Sequence, residues 1–98
     1  MNNDIFYELC DTSDDEMYFT LGMFRTLDEI KIEITTHDAI GEKISDYSED
    51  YEELTVVEHK FGWTKIRKEV MTIKRESIFD ELIDDYVWKT IDIDEFHC

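Results

Sequence analysis

The alternation of apolar and polar positions divides the 98-residue chain into six segments. Residues 4–10 (DIFYELC) and 17–24 (MYFTLGMF) are short, aromatic-rich runs on either side of the turn-like DTSDDE, the pattern of a β-hairpin. The next run, RTLDEIKIEITTHDAIG, carries two competing periods. Thr26 and Glu29 fit a capping box, Asp28 and Glu29 suit the positive end of a helix, and Leu27, Ile30 and Ile34 recur at helical spacing. Ile30, Ile32 and Ile34 also alternate as a β-branched strand would. The start signal is the more specific of the two, and Gly41 stands where a helix can stop, so the pattern predicts a helix from 27 to about 39.

Past Gly41 the acidic stretch SDYSEDYEE (45–53) reads as loop with room for a helical turn, and LTVVEHKF (54–61) has strand composition. FGW (61–63) looks like a turn whose aromatics fold back on the sheet, 64–77 a long strand, and YVWKTIDI (86–93) another. Between these last two, IFDELIDD (78–85) fits either a helical turn or a wide connection. The order predicts an α+β fold: a mostly antiparallel β-sheet of about five strands (β-β-α-β-β-β) with one main helix packed on one face. The 42% apolar content suffices for one modest core, so residues 1–98 are expected to form a single domain. There is no proline and there are three glycines, which leaves Asn, Asp and Ser to serve most turns.

Composition changes this picture through charge. Twenty-six Asp and Glu against ten Lys and Arg give a formal net charge of −16, a field that repels nucleic acid and anionic membranes and attracts basic partners. Thirteen aromatic residues set the chain apart from a disordered acidic tail. Two cysteines, Cys10 and Cys98, do not make a disulfide framework or a cysteine-rich zinc site. With no basic n-region and no apolar run of about 18 residues, the expected location is the cytoplasm.

Catalytic chemistry finds little to stand on. His37, His59 and His97 sit in no recognised catalytic spacing, and there is no glycine-rich phosphate loop, HExxH or GxSxG. The chain is therefore expected not to be an enzyme and to need no cofactor. DTSDDEMYFTLG offers oxygens at Asp11, Ser13 and Asp15 but lacks the sixth-position glycine and twelfth-position glutamate of an EF-hand, so it reads as a solvated turn and no metal is expected. Trp63 and Trp88 read as packing residues.

The signs of charge are segregated. Six of the ten basic residues fall between 60 and 75, where Glu69 is the sole acid. That strand is expected to pair across the sheet with the acids of 49–58 and 76–85; the net charge opposes its use as an RNA patch. The remaining acids cluster at Asp11, Asp14, Asp15 and Glu16; at Asp46, Glu49, Asp50, Glu52 and Glu53; and at Asp80, Glu81, Asp84 and Asp85, and are expected to lack internal partners. Carboxylates about 5–6 Å apart on a helix, or about 6.6 Å apart on alternate strand positions, approach the spacing of phosphates along a nucleic-acid strand. At about 1.7 Å of duplex axis per charge, 16 charges correspond to roughly 27 Å of DNA. Tyr47 and Tyr51, interleaved with the acids, add amphipathic contact area.

The run LGMFRTLDEI (21–30) resembles small prokaryotic and phage proteins in which a strand ends in Gly-x-Phe before a Ser or Thr cap and an acidic first turn; no functional residue follows from it. In size, acidity and lack of catalytic motifs the chain resembles the DNA-mimic inhibitors that phages use against restriction or CRISPR effectors, and also the acidic immunity proteins of nuclease toxins. The resemblance implies a stoichiometric inhibitor that occupies a basic groove of a nucleic-acid-binding protein without itself touching nucleic acid or membrane. The expected contact residues are Asp46, Tyr47, Glu49, Asp50, Tyr51, Glu52 and Glu53, with Asp80, Glu81, Asp84 and Asp85, and with Asp14, Asp15 and Glu16. An acidic interaction module with no mimicry is the alternative, and a homodimer is compatible with either.

Overall fold

The computed structural model describes residues 4–14, 18–46, 51–62 and 68–96. Five antiparallel strands and one helix follow the expected order: β1 (Ile5–Asp11), β2 (Phe19–Phe24), α1 (Leu27–Ile40), β3 (Tyr51–Lys60), β4 (Lys68–Asp80) and β5 (Asp85–Glu95). They form one sheet in the order β2-β1-β3-β4-β5, so that β2 and β5 are its edges.

The conflict of periods at Ile30, Ile32 and Ile34 is settled by burial. Ile30 and Ile34, four residues apart, are buried on the sheet, whereas Ile32 is 65% exposed; a strand would have put all three on one face. The Thr26 hydroxyl accepts the Glu29 N–H (3.2 Å), one of the donors left free at a helix start, and the Glu29 carboxylate reaches back to the Arg25 N–H (3.1 Å), just before the cap. Ile30 and Ile34 close a core with Leu9, Leu54, Val56, Met71 and Ile73, each contributing about 1.5–3 kcal/mol by burial.

The helix ends at Gly41, whose φ of 71° is the left-handed conformation expected of a C-cap. There it meets the edge of the sheet. The Trp88 N–H donates to the Gly41 carbonyl (2.8 Å) and the Thr90 N–H to Asp38 Oδ1 (3.0 Å), so the helix end seals this part of the β5 edge. A Cβ at Gly41 would lie 2.9 Å from Val87 Cβ. Gly41→Ala is therefore expected to cost at least about 1–2 kcal/mol, from the left-handed backbone alone, with the contact against β5 adding to it. A urea midpoint that does not move would show that this contact yields freely.

Two strand boundaries reach into stretches that the sequence pattern left outside the strands. β3 begins at Tyr51, so the end of the acidic stretch is strand, because Tyr51, Glu52 and Glu53 pair with Glu76, Arg75 and Lys74. β4 runs on to Asp80, which makes 78–85 neither a helical turn nor a wide connection: Ser77–Asp80 pair with Asp85–Trp88 around a four-residue turn. The turn needs a left-handed residue and takes it from Asp84 (φ 55°), a residue type that tolerates the conformation where glycine is scarce. The basic strand pairs with the acids of β3 (Glu52↔Arg75, Glu53↔Lys74, Glu58↔Lys68) as expected. Residues 76–80, however, belong to β4 itself, and its other neighbour is β5, which sets Asp92 opposite Lys74. Phe61 stands in the turn after β3, largely exposed but 5.2 Å from the Phe6 ring; Trp63 and residues 64–67 lie outside the described residues.

Candidate acidic interface

Antiparallel pairing decides which acidic segments meet. β1 ends where β2, β3 and β5 begin and where β4 finishes, so the β1–β2 turn, the loop after α1, the start of β3 and the β4–β5 turn share one end of the sheet. Of the expected contact residues, this end gathers Asp14, Asp46, Tyr51 and Glu53 together with Asp80, Glu81, Asp84 and Asp85. Two of these segments touch: the Glu53 N–H donates to Ser13 Oγ (2.9 Å) and the Tyr51 hydroxyl to the Ser13 carbonyl (3.4 Å). Tyr47, Glu49, Asp50, Asp15 and Glu16 lie outside the described residues.

Glu52 is a correction. It was expected at a partner's surface and is instead fully buried against Arg75, itself fully buried, because period two places Glu52 on the same face as Leu54 and Val56. Arg75 Nη1 lies 3.4 Å from both Glu52 carboxylate oxygens; Nε and Nη2 reach Asp38 Oδ1 at 3.2 and 3.0 Å, and Nη2 also reaches the Glu42 carbonyl at 3.0 Å. Burial raises the Glu52 pKa, outweighing the N–H groups of Ile44 and Ser45 and the Arg75 charge, whose closest contacts go to Asp38. Asp11, also expected to be free, is buried and accepts the Ser45 hydroxyl and, at 2.9 Å, the Ser13 N–H. These acids hold the site together from below rather than form it.

What the arrangement leaves outward is an arm. β3 pairs with β4 only as far as Glu76, so from Ser77 to the Trp88 contact with Gly41 the β4–β5 ribbon stands on two strands. Six residues at its end, Asp80 to Asp85, carry four carboxylates, with Asp80 directly opposite Asp85. Like charges in that position oppose the pairing. Between them Leu82 is 95% exposed, and Ile83, Tyr86, Phe79 and Ile78 are also exposed. Phe79 and Tyr86 pack edge-on across the ribbon (5.3 Å between centroids) and stiffen it. Asp80 Oδ1 accepts the Leu82 N–H (2.9 Å) and Asp85 Oδ1 the Tyr86 N–H (2.8 Å).

One cluster escaped the sequence pattern entirely. On the sheet face away from α1, Glu8 accepts the Thr20 hydroxyl and lies 2.8 Å from His59 Nε2, and Phe6 stacks on the His59 ring (5.0 Å). Burial pushes the Glu8 carboxyl up, but hydrogen bonds from Thr20, His59 and Cys10 outweigh it and hold the pKa below the ordinary value. The signal was the register Phe6↔His59, which needs the β1–β3 pairing to be seen. Cys10 is fully buried, so no substrate atom reaches its thiol here. Among the described residues no three His, Cys, Asp or Glu side chains could jointly hold a metal ion, and no helix is long and apolar enough to cross a membrane. A pocket of about 290 Å³ lined by Ile5, Tyr7, Arg25, Thr26, Leu27 and Asp28 lies at the opposite end of the sheet from the acids.

No protein-family model matches the chain, and neither a curated protein nor a solved structure matches it.

Proposed function

We propose that the protein is a stoichiometric inhibitor that offers its acidic end, arm foremost, to the basic groove of a nucleic-acid-binding protein such as a nuclease or a restriction or CRISPR effector. The observation that carries this reading is the convergence at one end of the sheet of acids that are far apart in sequence, extended by a ribbon whose tip sets two exposed aliphatic side chains between two pairs of carboxylates. Four carboxylates in six residues cost the free protein repulsion that cationic side chains of a partner would relieve. Leu82 and Ile83 supply the apolar anchor that charge alone lacks and that a bound partner can desolvate. No catalytic step is assigned to this surface, and its action is to exclude nucleic acid.

Capture from a nuclease-treated lysate on the immobilised protein, followed by elution with rising salt, tests this reading. Nucleic-acid-binding proteins are expected to be retained by the wild type and lost by a variant carrying Asp80→Asn, Glu81→Gln, Asp84→Asn and Asp85→Asn, which keeps the shape of the tip. Retention of the same proteins by both would remove the arm from the interface.

A further inference from the structure

The end of α1 closes the backbone of the β5 edge at Trp88 and Thr90, whose N–H groups it takes up, and farther along Lys31 of the same helix reaches the Glu95 carboxylate (2.5 Å). A bulge then shifts the register: Thr90 opposes Arg75 and Asp92 opposes Lys74, leaving Ile91 as the extra residue. Past the bulge the Phe96 N–H donates inward to the Val70 carbonyl (2.9 Å), and antiparallel alternation turns Asp94 and Asp92 inward as well. Ile93 therefore directs its N–H and C=O away from β4, and among the described residues nothing takes them up. Its side chain is 45% exposed and that of Ile91 48%. β2, the other edge, is six residues long and bulged at Leu21, a poorer template.

From this we infer that the Ile91–Asp94 edge receives an extended, basic segment of the partner as a sixth strand. The inference deepens the reading above and rests on it for the basic character of that partner. The occupant is selected by charge and register. A second copy of β5 paired antiparallel about Ile93 would set Asp92 against Asp94 twice on one face, two like-charge pairs that oppose the contact. A strand alternating Lys or Arg with apolar residues sets cations against Asp92 and Asp94, which are exposed, and covers Ile91 and Ile93 on the way. Backbone hydrogen bonds give such a strand affinity, and the alternation gives it register.

The test uses the full chain, labelled with ¹⁵N, and a synthetic peptide of alternating Lys and Val. Amide shifts are expected at Ile91–Asp94, with slowed hydrogen exchange at Ile93. Both should vanish with a Glu–Val peptide, with the Lys–Val peptide N-methylated at alternate amides, and with Ile93→Pro, which removes the outward N–H together with the half-covered Ile93 side chain and is read only if the amide spectrum of β1–β4 is unchanged. The arm variant with four amides should respond as the wild type does, so a failed arm and a failed edge give different results. Equal shifts from the N-methylated peptide would reduce the effect to charge attraction and overturn the inference. Shifts confined to 80–85, or concentration-dependent pairing of β5 without peptide, would overturn it too.

Discussion

Arg75→Leu is expected to cost about 3–5 kcal/mol of stability, the largest loss of any single substitution considered. Arg75 and Glu52 are both fully buried, and removing the guanidinium leaves the Glu52 carboxylate with the Ile44 and Ser45 N–H groups and no countercharge. The same change removes the β4 tie to the helix end, because Arg75 also holds Asp38 and the Glu42 carbonyl, and leaves only the β5 contacts through Trp88, Lys89 and Thr90. The double variant Arg75→Leu with Glu52→Leu should recover much of the loss, since an apolar pair of similar volume carries no unpaired charge. A pH series separates the two contributions. The folded pKa of Glu52 is already raised above its ordinary 4.5, and in the single variant it rises further. A carboxyl with a raised folded pKa favours folding at low pH and loses that contribution as pH rises through the folded pKa. The deficit of Arg75→Leu relative to wild type should therefore shrink as the pH is lowered toward 4.5. Urea unfolding across that range is the measurement; a deficit under about 1 kcal/mol, the scale of a surface pair, would contradict the central place given to this network.

Leu82→Ser is expected to weaken binding to a captured partner by roughly 30-fold or more, the scale of a hot-spot residue. Leu82 is 95% exposed in the free protein, so stability should move by no more than about 0.5 kcal/mol, and the loss can be read as lost interface. The charge variant of the tip should differ in kind. It is expected to slow association and flatten the salt dependence, whereas Leu82→Ser should mainly hasten release. Stopped-flow association and dissociation rates distinguish these. Unchanged rates for both variants would leave Asp14, Asp46, Tyr51 and Glu53 as the contact surface.

How much of this was legible in the sequence follows from the range of the interactions. The start of α1 was, because Thr26 and Glu29 interact within one turn, and so was its end, because Gly41 supplies its own left-handed backbone. Ile32 could be sorted from Ile30 and Ile34 only through the same local signals. The Arg75 network was not legible as a network, since its members lie 23 and 37 positions from Arg75 and meet through strand register. Half of it was within reach: Glu52, Leu54 and Val56 alternate, which places Glu52 on the core face and asks for a buried cation. The arm was missed because DELIDD lacks the glycine that usually marks a tight hairpin, Asp84 taking its place. That the scattered acids share one end of the sheet depends on strand order, which no local pattern encodes.

The central claim is that a partner's phosphate-binding groove accepts this acidic end in place of nucleic acid, and competition for a purified partner tests it most directly. With labelled duplex DNA on the partner, fluorescence anisotropy should fall to the free-DNA value as the protein is added. The apparent inhibition constant should rise in proportion to the DNA concentration, as mutually exclusive binding requires. A ternary complex, with the protein bound and the anisotropy still high, would contradict the claim.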